Sequence, residues 1–87
     1  MNIDELIIKV KKKLKKNINI KNILIEDKTF LHKNHAGHEN NKFHLKIRIE
    51  SNELKNLNKI EGNKKIYKIL DVELKKHIHS LQISINQ

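Results

Sequence analysis

The chain has 87 residues and no cysteine, which excludes disulfides, thiolate metal sites and a thiol nucleophile. Nineteen basic residues stand against ten acidic ones, and a net charge of +9 raises nucleic acid and anionic surfaces as partners. Arg48 is the only arginine and Lys, Asn and Ile are abundant together, so a biased codon pool accounts for part of that charge.

The length fits one domain over residues 1–87. Asn2 and Glu5 make a capping-box pattern that opens a helix. Ile3, Leu6, Ile7, Val10 and Leu14 then recur at helical spacing, and Asn17 is a plausible end. Lys9, Lys11, Lys12, Lys13, Lys15 and Lys16 between them read as a solvated face. A membrane-surface helix is the less consistent reading, because the apolar face must close the core of so short a chain. The acidic start Asn2-Ile3-Asp4-Glu5 does not resemble a signal or transit peptide, and no apolar run is long enough to span a bilayer. The expectation is a cytoplasmic protein with no membrane association.

Residues 18–26 form the first strand candidate. Residues 43–50 alternate cleanly: Phe43, Leu45, Ile47 and Ile49 face one way, and His44, Lys46, Arg48 and Glu50 the other. Between these strands lies a loop holding His32, His35, Gly37 and His38, long for a domain of this size. Ser51 or Asn52 caps a short helix carrying Leu54, Leu57 and Ile60, which Gly62 is expected to break. A longer helix with Ile66, Ile69, Leu70 and Leu74 follows, and residues 78–85 form the last strand. The order α-β-β-α-α-β predicts a small α+β sandwich: a three-stranded mixed sheet with helices packed on one face.

The chain lacks a serine elbow, a glycine-rich phosphate loop and a zinc-protease helix, and its acidic residues fall on polar faces. No active site can be assembled, so a binding protein is expected, not an enzyme. Six histidines remain. His32, His35 and His38 are either polar loop residues or part of a metal site, which with zinc needs about four ligands. His79 falls in phase with Leu81, Ile83 and Ile85, so strict alternation aims it toward the core, as a satisfied, partly buried imidazole or as a functional one.

The stretches HAGH (35–38), KFHLKIRIES (42–51) and KKIYKILDVELKKHIHSLQI (64–83) resemble the BolA family, whose pattern runs H-x-G-H, T-H-F-x-L-x-I-x-S, R-H-R-x-V-Y-x-x-L-x-x-E-L and V-H-A-L-x-I. The matching positions are His35, Gly37 and His38; Phe43, Leu45, Ile47 and Ser51; Ile66, Tyr67, Leu70, Glu73 and Leu74; and Ile78, His79, Leu81 and Ile83. The resemblance implies a fold similar to the class II KH arrangement. It also implies an adaptor that pairs with a monothiol glutaredoxin of the CGFS type and shares a [2Fe-2S] cluster with it. The partner then brings a cysteine thiolate and a glutathione thiolate. This chain brings His79 and a loop histidine, His38 before His35, with His32 behind. Alone, such a chain is expected to be a monomer or weak homodimer.

The alternative that the resemblance carries is a KH-like, DNA-binding transcriptional regulator of stress or morphology, which needs a basic face at Lys55, Lys59, Lys64 and Lys65. Two departures weigh against it. Asn63 stands where the family has a histidine between two basic residues, and Leu54-Lys55-Asn56 stands where it has an F-x-G turn.

Overall fold

The computed structural model describes residues 1–29 and 42–87. Helix α1 (Ile3–Asn17) starts where the side chain of Asn2 accepts the Glu5 N–H at 2.8 Å. Its Leu6, Val10 and Leu14 are buried, as the spacing predicts. Strand β1 is Asn22–Asp27, shorter than the predicted 18–26. Ile18 is buried at the helix end, and residues 18–21 form the connection from helix to strand. Strand β2 (Phe43–Glu50) and strand β3 (Ile78–Ile85) match the predicted spans.

The sheet order is β1-β2-β3, with β1 antiparallel and β3 parallel to the central β2. A parallel pair cannot be joined by a hairpin, so the chain crosses from β2 to β3 through three helical pieces. These are α2 (Asn52–Lys55), α3 (Lys59–Ile69) and α4 (Asp71–Lys76). Ser51 caps the first, its hydroxyl accepting the Leu54 N–H, and Asn58 caps the second in the same way toward Glu61. One core joins Leu6, Val10 and Leu14 to Ile25, Leu45, Ile47 and Ile49 of the sheet and to Leu54, Ile66, Leu70 and Ile78. On the other sheet face Leu24, Arg48 and Gln82 are exposed and Lys46 is partly so.

Three sequence expectations are corrected here. Gly62 does not break a helix; it lies inside α3, where a Cβ would come within 3.0 Å of Ile85 Cδ1. Its lack of a side chain leaves room for the tip of the Ile85 side chain. Because the break falls at Asn56–Asn58 instead, Ile60 moves onto the outer side of α3 and is exposed. The predicted long helix is two helices, interrupted at Leu70.

The third correction concerns Glu73, which is 1% exposed rather than on a polar face. Lys13 reaches it from α1 with a 2.9 Å hydrogen bond, and Lys9 lies 3.9 Å away. Burial opposes the carboxylate's charge, but the hydrogen bond from Lys13, aided by the fields of Lys13 and Lys9, outweighs it and holds the carboxyl below its ordinary value. A long lysine stem can run along apolar surface and bring its ammonium to a buried acid.

Candidate functional site

At the opening of β3 the ladder is irregular. Phe43 pairs with Ile78, and the next residue, His44, pairs with Ser80. The strand β3 therefore takes two residues where β2 takes one, and His79 is the extra residue of a β-bulge. Farther along, Leu45, Ile47 and Ile49 pair with Leu81, Ile83 and Ile85 on the core face. The expectation that His79 points into the core is overturned. Ile78 takes the core position at 2% exposure, and His79 is exposed. The energetic reason is plain: an aliphatic side chain gains by leaving water, and an imidazole without a buried partner loses. The signal was present in the sequence. Ile78 and Leu81 are apolar and three apart, a break in an otherwise two-residue period.

The bulge sets His79 beside His44, away from the core face of the sheet. Their ring centroids are 4.9 Å apart and the rings are tilted by 51°. His44 was read as one more residue of the polar face of β2, yet it is only 6% exposed. Its Nδ1 lies 2.6 Å from Ser80 Oγ, the residue that the bulge brings opposite it. The His44 backbone is held on both sides: its N–H donates to Thr29 Oγ1 at 3.1 Å, and its carbonyl accepts the Lys28 N–H at 2.7 Å. Thr29 is fixed in turn, its N–H and its hydroxyl both donating to Asp27 Oδ1. Phe43 N–H donates to the His77 carbonyl at 2.8 Å, so Thr29 and Phe43, the described residues on either side of 30–41, are both held at the start of β2. The candidate ligands His35 and His38, with His32, belong to that segment and lie outside the described residues.

Among the described residues, neither ring nitrogen of His79 has a hydrogen-bond partner, and no group of three or more His, Asp or Glu side chains is placed to hold a metal. Here the described part of the chain offers one exposed imidazole backed by a buried one.

A family description, BolA-like protein, matches residues 14–87. The chain belongs to the BolA-like family. It is 31% identical over 76 residues to the DNA-binding transcriptional regulator BolA of Haemophilus influenzae, covering 87% of this chain and 71% of that protein. Among solved structures it resembles the BolA domain of SufE1 from Arabidopsis thaliana, with a TM-score of 0.76, 28% identity, and 90% and 86% of the two chains covered. BolA1 from Arabidopsis thaliana shares the fold at a TM-score of 0.75 and 23% identity, over 88% and 84% of the chains.

In this BolA-like chain the four candidate nucleic-acid lysines are not equivalent. Lys55 and Lys59 are exposed and line a groove of about 270 Å³ with Leu54, Leu57, Asn63 and Ile85. Lys64 is exposed as well. Lys65 is engaged, with its ammonium 2.7 Å from Glu53 Oε2. That hydrogen bond, followed by one from the Asn19 backbone N–H, holds the Glu53 carboxyl below its ordinary value. Lys55 and Lys59 thus border the groove, Lys64 lies outside it, and Lys65 is held in an ion pair at the surface. Asn63, standing where the family pattern has histidine, has a buried Oδ1 with no hydrogen-bond partner among the described residues.

Proposed function

We propose that this BolA-like chain is an adaptor that binds a monothiol CGFS glutaredoxin and shares a [2Fe-2S] cluster with it through His79. The observation that carries the reading is the bulge, which turns a strand residue out of phase and leaves an exposed imidazole whose nitrogens have no partner among the described residues. The described residues suit one ligand position. They do not suit a self-contained site, since the chain has no cysteine and no metal-holding cluster among them. The family resemblance implies that the remaining ligands are the partner's cysteine and glutathione thiolates. The described residues that flank the His-bearing segment, Thr29 and Phe43, are bonded at the start of β2, which is consistent with His38, or failing that His35, as this chain's second ligand. Imidazole in place of thiolate raises a cluster's reduction potential, and a bond to imidazole is labile to protonation, which suits a cluster that is passed on. The role is binding and transfer of cargo, without catalysis.

The test is anaerobic reconstitution of the chain with a CGFS glutaredoxin, glutathione, iron and sulfide, read by visible absorption and circular dichroism. A heterocomplex spectrum distinct from the glutaredoxin homodimer, lost in His79→Ala, supports the reading. No complex and no spectral change sinks it.

A second reading has its own observation. The Haemophilus influenzae relative is named a DNA-binding transcriptional regulator. The helices of this chain carry thirteen lysines against six acidic residues, seven of the nine net positive charges. DNA binding through Lys55, Lys59, Lys64 and Lys65 predicts affinity that falls steeply with salt. A cluster-bridged protein complex depends on salt far less, so one salt series separates the two.

A further inference from the structure

We infer that His44 is a positioning residue for His79, forming the wall against which the exposed imidazole is set. The inference rests on the cluster-sharing reading and adds to it a residue from a different strand. A bulged residue has lost its place in the ladder, so its side chain is not held by cross-strand neighbours. An exposed histidine in that situation samples several rotamers, and each must be given up when a ligand bond forms. His44 removes part of that freedom. Its ring stands 4.9 Å from that of His79 in a tilted contact, a favoured aromatic geometry.

The wall is itself fixed. His44 is buried, its Nδ1 is tied to Ser80 Oγ at 2.6 Å, and its backbone is clamped by Thr29 and Lys28. The bulge produces both halves of the device. Skipping His79 in the register turns that side chain outward and, in the same step, places the Ser80 hydroxyl opposite His44. The resemblance does not assign this role, because the family pattern leaves the position between Phe43 and Leu45 unspecified. His44 acts through His79 and is not itself placed as a ligand.

The experiment uses the full chain and the same glutaredoxin reconstitution, with His79→Ala, His44→Ala, His44→Phe and Ser80→Ala beside the wild type. The readouts are the visible circular dichroism of the cluster, the titration midpoint of the heterocomplex, and the imidazole NMR signals of His79 without partner. His44→Ala is expected to alter the dichroism, weaken assembly about fivefold, and move the His79 ring signals to those of a freely rotating imidazole. His44→Phe keeps a ring at the wall and is expected to recover most of each effect. Ser80→Ala, which spares both rings, should act in the same direction by about twofold and carries the test if His44→Ala does not fold. If His79→Ala leaves the heterocomplex spectrum unchanged, the cluster-sharing reading itself falls. If His79→Ala abolishes the spectrum while His44→Ala and Ser80→Ala match the wild type, only the positioning role falls. Equal losses in His44→Ala and His44→Phe also overturn it, because a ring alone then supplies no wall.

Discussion

Glu73 and His79 lie six residues apart across the junction of α4 and β3, and the fold treats them in opposite ways. Glu73 is a carboxylate taken almost wholly out of water, with an ammonium at 2.9 Å and a second at 3.9 Å supplied from α1. His79 is a side chain that strict alternation would bury, yet it is turned out to solvent with its nitrogens unengaged among the described residues. The difference is the supply of partners. A polar group is buried where long basic side chains from another element can follow it, and it is expelled where an aliphatic neighbour can take the core position instead. Glu73 therefore reads as structural and His79 as available for a ligand, although both match the family pattern.

Changing the two residues in turn tests that contrast most strongly. His79→Ala should abolish the heterocomplex cluster spectrum while leaving chemical denaturation within about 1 kcal/mol of the wild type, since only an exposed side chain and its ring contact with His44 are removed. Glu73→Ala should do the reverse. It leaves Lys13 without its counter-charge and opens a gap under α4, a loss of about 2 kcal/mol and a Tm lower by about 10 °C, with the cluster spectrum kept. A stable Glu73→Ala or an unstable His79→Ala would break the comparison.

Acid sharpens it further. The Glu73 carboxyl is held below its ordinary value of 4.5 in the folded state, so its stabilising contribution is fully present above that value. The contribution is lost as pH falls through the lower native value, because protonation then removes the charge that pairs with Lys13. Unfolding followed from pH 6 to pH 2 should show this loss in the wild type and a shallower one in Glu73→Gln. The two lysines divide the smallest effect. Lys13→Ala should cost about 1 kcal/mol, and Lys9→Ala, at 3.9 Å and half exposed, about 0.3 kcal/mol by denaturant titration.

Much of the framework is legible in local patterns. The spacing of Leu6, Val10 and Leu14, the cap at Asn2, the alternation from Phe43 to Glu50 and the cap at Ser51 each concern residues within a few positions of one another, and each appears in the structure. Gly62 shows where that reasoning stops. Gly62 sits within the helix that Asn58 caps, and its contact with the Ile85 side chain, far along the chain, has no local signature. His44 likewise gives no local sign of burial. Its environment is assembled from Ser80, His79 and the Thr29 turn, and only the bulged register brings them together.

By itself the sequence determined the strands β2 and β3, the helix that opens the chain, the absence of thiolates and the concentration of lysine, because composition and short-range periodicity are local properties. Tertiary structure alone decided which polar groups are enclosed and which are presented. Lys13 and Glu73 are 60 residues apart, and the exchange of Ile78 for His79 at the core is settled by pairing with β2, so neither outcome is encoded at the position where it appears.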